Sequence, residues 1–126
     1  MFFKATGAQT GGRFSLMERT LPPGGRMPPP HRHSGNDEAY FVLDGVVEFR
    51  IGDEVFEGRV GTFVLVAAGE AHTFGNTSSA PARLLVLHAP GLDGYFADLE
   101  QLWSSEVPPD REAELDLMRR HGMEPA

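Results

Sequence analysis

The 126-residue sequence contains no cysteine, so it can form neither a disulfide nor a thiolate–metal bond. Any bound metal ion must be held by histidine, aspartate, glutamate or backbone oxygen. No apolar run approaches the roughly 18 residues of a membrane-spanning helix. The first residues, 1–12, also lack the apolar stretch of about 7 to 15 residues that a signal peptide needs. These absences predict a cytoplasmic protein without membrane contact.

Basic residues are scarce as well. The chain has 11 Lys and Arg against 18 Asp and Glu, a formal net charge of −7. Binding to a phosphate backbone normally requires a basic surface, so nucleic acid is not expected as a partner. The length fits one domain, and 15 Gly and 10 Pro favour many turns over long helices. We therefore expect one all-β domain over residues 1–126.

Seven short β-rich runs alternate with turn signals before residue 91. The dipeptides 44–45 and 52–53, Asp-Gly and Gly-Asp, occupy positions typical of two-residue hairpin turns, because glycine tolerates positive φ. Strands of this length and spacing predict a sandwich or barrel, with its core over about residues 13–90. The runs are 13–21, 38–43, 46–51, 54–58, 62–66, 72–76 and 83–89.

The apolar pattern changes to helical spacing in the segment 91–126. Apolar residues recur at helical intervals over 94–103, with Asp93 as the expected N-cap, which predicts a helix against the barrel wall. A second helix is predicted over 110–122, beginning at Asp110. Its apolar stripe is thin, which leaves open that this helix packs on a partner subunit rather than on its own core.

Two histidines and a glutamate precede an apolar run in a segment rich in proline and glycine. Because residues two apart in a strand point to one face, His31 and His33 should project together. Glu38 follows a turn composition at 34–36, and His72 opens a later strand after another turn. Singly, each residue is more often a surface or hydrogen-bonded side chain. Together they offer nitrogen and oxygen donors at strand beginnings, where one metal ion could take them.

The full spacing resembles the two motifs of the cupin family. The first motif is Gly, five residues, His-x-His, three or four residues, Glu, six residues and Gly. The second is Gly, five residues, Pro, one residue, Gly, two residues, His, three residues and Asn. The only departure is Ala67 in place of the proline, which affects turn rigidity rather than ligation. The matching residues are Gly25, His31, His33, Glu38 and Gly45, then Gly61, Gly69, His72 and Asn76.

This resemblance implies a double-stranded β-helix barrel of the jelly-roll type, with short C-terminal helices and a site for one divalent transition metal. The ligand types suit Fe, Mn, Ni, Cu or Zn, and affinity does not identify the native metal. Fe or Mn is favoured because related cupin oxygenases use them. Two positions of an octahedral ion would remain for a substrate oxygen and for water or O2. The implied ligands are His31, His33, Glu38 and His72.

Strand parity also predicts which side chains surround the ion, because alternate residues share a face of the barrel. Side chains on a ligand's face, on the apolar floor or at the rim are candidates for substrate contact. Plain core packing is the simpler explanation for each of them. These candidates are Tyr40, Phe49, Phe74, Met27 and His88.

Three functions fit this set of residues. The leading hypothesis is a mononuclear metal oxidoreductase of the dioxygenase type that acts on a small aromatic or enol compound. The segment 88–102 resembles the same region of small cupins similar to quercetin 2,3-dioxygenase. In such an enzyme Glu38 would either remain a ligand or take the substrate proton as general base.

The alternatives are a binding or sensor module that holds a small molecule without turnover, and a metal-dependent isomerase of sugars or keto acids. The isomerase would need more Lys, Arg or Gln inside the barrel than parity indicates. A homodimer is expected in each case, since cupins commonly dimerise through sheet edges. Residues 1–21 and 110–122 could supply that interface.

Overall fold

The computed structural model describes residues 1–25 and 27–126. The strands are β1 (Phe2–Ala5), β2 (Ser15–Leu21), β3 (His31–His33), β4 (Asp37–Asp44), β5 (Val47–Ile51), β6 (Glu54–Gly58), β7 (Phe63–Val66), β8 (His72–Gly75), β9 (Ala82–Ala89) and β10 (Met123–Pro125). The helices are α1 (Asp93–Leu102) and α2 (Arg111–Arg120). The described strands form two antiparallel sheets with the orders β1-β2-β9-β4-β7 and β10-β3-β8-β5-β6. The predicted double-stranded β-helix with short C-terminal helices is confirmed.

The core lies between the two sheets and follows the alternation of the strands. On β5, Val47 and Phe49 are fully buried whereas Arg50 is exposed, as parity predicts. Val86 of β9 and Tyr40 of β4 point into the same core from the opposite sheet. Each buried side chain of this size contributes about 1.5–3 kcal/mol relative to an exposed one, so the inward faces hold the barrel closed.

The turn between β4 and β5 requires glycine, as the Asp-Gly pair in the sequence predicts. Gly45 has a φ of 76°. A Cβ atom at this position would lie 2.6 Å from the carbonyl oxygen of Pro81 and 2.9 Å from Cα of Ala82. Any larger residue would therefore displace the backbone that leads into β9, the strand that pairs with β4.

Both helices pack on the chain's own barrel. Leu117 and Met118 of α2 are buried in the core of their own chain, so this face of the helix is not available to a partner subunit. Asp110 caps α2 as predicted, and its Oδ1 accepts a hydrogen bond of 2.8 Å from the Ala113 amide. The predicted N-cap of α1 was wrong: Leu92 occupies that position, and Asp93 lies in the first turn.

Three strands lie outside the seven predicted runs: β1, β10 and β3, whose extended His-x-His segment was expected from the pair of histidines. β1 pairs with β2 at one edge of the first sheet, and β10 pairs with β3 at one edge of the second. In the latter pair Met123 lies opposite His33 and Pro125 opposite His31, so β10 covers the edge of the strand that carries both histidines. Neither helix of the described chain has the length and apolar character needed to cross a membrane.

Candidate metal centre

The four predicted ligands come from strands of both sheets and meet in one buried group. One donor atom from each of them lies within 4.8 Å of the other three, and all four side chains are buried. β3 and β8 bring two of them together directly, because His31 lies opposite His72 in the antiparallel pair. Their ring centroids are 4.5 Å apart. The sequence prediction that these side chains converge is thus matched by the fold.

Two backbone carbonyls fix the orientation of these imidazoles. Nδ1 of His31 donates to the Pro29 carbonyl at 2.7 Å, and Nδ1 of His72 donates to the Glu70 carbonyl at 2.8 Å. In each case the acceptor is two residues earlier, in the turn or proline segment that enters the strand. A proton held on Nδ1 leaves Nε2 with its lone pair free, which is the form that binds a metal ion.

Glu38 of β4 reaches into the middle of this group. Its Oε2 lies 2.9 Å from Nε2 of His33 and 3.2 Å from Nε2 of His72. Its Oε1 accepts a hydrogen bond from the hydroxyl of Tyr40, two residues along on the same face of the strand. One carboxylate oxygen therefore faces the imidazole nitrogens of His33 and His72, and the other is hydrogen-bonded by the Tyr40 phenol.

The electrostatics of the group favour an ionised carboxylate. Burial favours the protonated form of Glu38, but the charge of His88 and the nearby nitrogens of His33 and His72 outweigh it. The pKa of Glu38 consequently lies well below its usual range. Burial, together with the negative charge of Glu38, raises the pKa of Tyr40 well above its usual value, so Tyr40 stays a hydrogen-bond donor.

The histidines differ in their response to this environment. Burial, followed by the charge of His72, lowers the pKa of His31 to about 4, so this imidazole is neutral at neutral pH. For His72, burial acts in the same direction, but its hydrogen bond to Glu38 and the charge of that carboxylate raise its pKa overall. A neutral imidazole beside a carboxylate anion is the protonation state in which both groups act as metal ligands.

The buried nitrogens of the cluster test whether these residues fit a metal ion. Within the part of the chain that the structure describes, both ring nitrogens of His33 are buried without a well-aligned hydrogen bond. Leaving a buried polar group unpaired costs about 1–3 kcal/mol. A cation among the four donors would give His33 Nε2 a partner. Three imidazoles and one carboxylate, all buried, could thus hold one divalent transition metal.

His88 stands beside this group rather than in it. It is fully buried on β9, and its Nε2 lies 3.0 Å from Oε2 of Glu38. The substrate contact expected of His88 stays a prediction. Its ring packs against Phe96 of α1, with centroids 5.1 Å apart. His88 therefore links the helix to the carboxylate.

A cavity of about 490 Å³ opens next to the four-residue group. His31, His33 and Glu38 all form part of its wall, so a molecule in the cavity would face the ligand atoms. The remaining wall is largely apolar and aromatic, which is the usual composition of a small-molecule site. Its main apolar members are Phe74, Tyr95, Phe96, Leu99, Trp103 and Met118.

Of the predicted substrate contacts, the structure places Phe74 in the cavity wall. Phe49 lies deeper, between Tyr40 at 5.2 Å and Phe56 at 5.6 Å from its ring centroid. Met27 packs on Gly75, where an added Cβ would come within 2.6 Å of its Cγ. Direct ligand contact stays a prediction that the geometry favours for Phe74.

Two features of the cavity were not anticipated from the sequence. Helix α1 supplies Tyr95 and Phe96 to the wall, and its C-cap residue Trp103 lies there too, although helical periodicity alone shows only that these residues face the barrel. Arg19 of β2 also lines the cavity. Its signal was present in the sequence, because Arg19 shares its strand face with the buried residues Met17 and Leu21.

Comparison with known proteins agrees with this geometry. The family model of the cupin domain matches residues 17–88, more than half of the chain, including all four proposed ligands. No curated protein matches the sequence significantly. The crystal structure of the TT1209 protein from Thermus thermophilus is 34% identical, with a TM-score of 0.60 over 64% of this chain and 76% of that chain.

Two other solved structures are similar at 25% identity. One is a sugar phosphate isomerase from a cupin superfamily, from Silicibacter pomeroyi, with a TM-score of 0.60 over 69% of this chain and 57% of that chain. The present chain therefore spans little more than half of that protein. The other is the cupin domain of an XRE family transcriptional regulator from Enterobacter cloacae, with a TM-score of 0.56 over 64% of this chain and 84% of that chain. Because the family match spans most of both sheets and all four converging donors, the chain belongs to the cupin superfamily.

Proposed function

We propose that this cupin is a mononuclear metal-dependent oxidoreductase of the dioxygenase type that acts on a small aromatic or enol compound. The observation that carries the proposal is the shared wall of the cavity. Three members of the donor group, His31, His33 and Glu38, face the same space as the aromatic rings of Phe74 and Phe96. A planar ligand stacked on those rings would present its oxygen to the donors.

Each group has a distinct role in this proposal. The metal ligands would be His31, His33, Glu38 and His72, with Fe or Mn as the favoured ion. A bound ion of this kind would supply Lewis-acid activation of a substrate oxygen and a redox centre for O2 chemistry. Glu38 would either remain a ligand or leave the ion to take the proton of the substrate hydroxyl as general base. The apolar wall would orient the ring and exclude water.

Oxygen uptake tests this function. Metal-loaded protein is mixed with a panel of flavonols, catechols and enolic diketones while dissolved O2 is followed. The proposal expects substrate-dependent O2 consumption that falls by about 10²-fold or more in Glu38→Gln, the usual contribution of general acid–base catalysis. The matched control is Glu48→Gln, a carboxylate on β5 that pairs with Arg50 at 2.8 Å outside the site. Full turnover in Glu38→Gln would contradict the role of Glu38 as general base. Absence of O2 uptake with every compound would contradict the dioxygenase function.

One observation favours a second function, a metal-dependent isomerase acting on an anionic substrate. Arg19 lines the cavity, and a cation there is what the isomerase hypothesis required. One similar structure is that of a sugar phosphate isomerase from a cupin superfamily. O2-independent conversion of a phosphosugar or keto acid, with no oxygen uptake, would support this alternative. Tight binding without conversion of any compound would favour a sensor module.

A homodimer is part of the proposal, and an exposed apolar patch on the first sheet supports it. On the outer face, Phe41 of β4 lies opposite Phe63 of β7, and Leu85 of β9 flanks Phe41 on its other side. Phe63 and Leu65 of the edge strand β7 are 63% and 60% exposed. Contiguous apolar surface of this kind marks protein interfaces. The cytoplasmic location and the lack of a nucleic-acid partner stay predictions from composition.

A further inference from the structure

Arg19 holds a positive charge against the cavity. It lies on β2 between Met17 and Leu21 on the inward face of the strand, and both of those neighbours are buried core residues. Its own side chain is only partly buried because it lines the open space of the cavity. An arginine on an otherwise apolar strand face is expected to bind a group of opposite charge.

The surroundings of the guanidinium group, within the described chain, leave its hydrogen-bond donors unused. Its central carbon lies 5.5 Å from the ring centroid of Phe74 and 6.0 Å from that of Phe96, which is cation–π range. Among residues 1–25 and 27–126, its side chain forms no hydrogen bond or ion pair. Arg83 on the neighbouring strand differs, since its Nε lies 3.2 Å from Oε2 of Glu18. The two phenyl rings thus lie beside the Arg19 guanidinium, and within the described chain its N–H groups remain available.

The charges around Arg19 determine which kind of anion it can bind. Burial lowers the pKa of Arg19, and interactions with Tyr95, Tyr40 and Glu38 act against that decrease. Arginine remains charged under all ordinary conditions. Two carboxylates, Glu100 and Glu114, also lie in the cavity wall, and Glu114 is within 3.9 Å of Arg111. Among the described residues of the cavity wall Arg19 supplies one guanidinium, and a single guanidinium beside acidic groups suits a singly charged anion better than a phosphate dianion.

We infer that Arg19 binds the carboxylate of an aromatic or enolic acid whose ring lies against Phe74 and Phe96. The planar fork of a guanidinium matches a carboxylate with two parallel hydrogen bonds. The same cavity places His31, His33 and Glu38 in front of such a ligand. The inference rests on the proposed function in taking the ligand to be aromatic or enolic, and it narrows the substrate class to carboxylic acids.

A binding experiment on matched ligand pairs tests this inference. Isothermal titration calorimetry of the metal-loaded protein compares benzoate with benzamide, 2-hydroxybenzoate with 2-hydroxybenzamide, and cinnamate with cinnamamide. Each pair differs in charge and changes little in shape. The wild type is expected to bind at least one acid about tenfold or more tightly than its amide, the range for charge-assisted hydrogen bonds.

Three variants test whether the guanidinium of Arg19 causes the preference for the acid over the amide. Arg19→Met keeps an apolar stem of similar length against the phenyl rings and is expected to bind acid and amide within about twofold of each other. Arg19→Lys keeps the charge without the planar fork. Its preference for the acid over the amide should lie between those of the wild type and Arg19→Met. Arg83→Met removes an arginine from the adjacent strand and should behave as wild type. Circular dichroism melting of each variant identifies any loss of fold.

The outcomes separate this inference from the proposed function, because no turnover is measured. Equal binding within every pair, no binding of any acid, or a preference that survives Arg19→Met would overturn it. Repeating the titrations after removal of the metal adds a further test. A preference that disappears with the metal would mean that the ion holds the carboxylate, and this also contradicts the inference. A retained preference in a protein that consumes no O2 would support it and reject the dioxygenase.

Discussion

His88 of β9 lies directly opposite Glu38 of β4, and its Nε2 is 3.0 Å from the Glu38 Oε2. Both side chains are almost completely buried. His88 therefore acts on the carboxylate from the strand next to it, while Phe96 packs against its other side. We regard it as a positioning residue for Glu38.

Replacing His88 should weaken metal binding without abolishing it. Groups that orient metal ligands typically contribute about 10- to 100-fold to metal affinity, so His88→Gln is expected to lose about that much. Titration against a competing chromophoric chelator measures the change. The control is His121→Gln, because His121 pairs with Asp98 at 2.8 Å, away from the donor group. Unchanged affinity in His88→Gln would show that the contact has no effect on the site.

The Tyr40 hydroxyl offers a second test of how Glu38 is held. Tyr40→Phe removes the donor to Oε1 and leaves a buried carboxylate oxygen without that partner. The free energy of unfolding should fall by about 1–3 kcal/mol, as measured by urea denaturation in the presence of a chelator. Tyr95→Phe is the matched control, since Tyr95 is also a buried tyrosine and makes no hydrogen bond to Glu38. Equal stability of the two variants would contradict the role assigned to this hydrogen bond.

Removal of the metal should lower thermal stability. An ion that binds only the folded state contributes about 2.7 kcal/mol when its free concentration is 100 times its Kd. For a domain of this size that corresponds to a fall in Tm of roughly 8–15 °C after chelation. Plasma spectrometry should find about one transition metal ion per chain in the wild type and in His121→Ala, and none in His72→Ala. A Tm in His72→Ala that still responds to chelation would place the ion elsewhere.

The apolar patch on β7 predicts which substitutions separate the proposed dimer. A charge at Phe63 or Leu65 would be buried in the interface without a partner, so Phe63→Glu and Leu65→Glu should give monomers. Light scattering coupled to gel filtration measures the mass. Val55→Glu is the control, because Val55 is 63% exposed but lies on β6 in the other sheet. A wild-type monomer, or a dimer that persists in both β7 variants, would refute this interface.

Most strands could be predicted because they depend on short-range rules, whereas the full donor group was predicted from the resemblance to the cupin motifs. His31 and His33 share a face by strand parity, and the motif spacing relates them to Glu38 and His72 across the chain. The cavity wall depends instead on where α1 lies over the barrel, which is a tertiary relationship that helical periodicity does not contain. The same limit explains α2, whose thin apolar stripe does not predict that Leu117 is buried in the core.

Arg19 and β10 show two different reasons for a missed feature. Arg19 follows the same strand alternation as Val47 and Phe49. A charged residue is not normally expected on an inward face, and its position is explained only by the cavity that it lines. The segment Met123–Pro125 has only three residues and ends in proline, so nothing in its local pattern indicates a strand. Pairing with β3 creates it, and that partner is about 90 residues away in the sequence.

The pairing of β10 with β3 also orders events during synthesis of the protein. His31 and His33 leave the ribosome early, yet their strand gains its β10 neighbour only when Pro125 has emerged. Contacts between such distant parts of a chain form late, because closing the intervening loop costs entropy before the contact is gained. We therefore expect ribosome-bound chains that end before residue 123 to hold metal weakly, so that stable metal acquisition follows translation of β10.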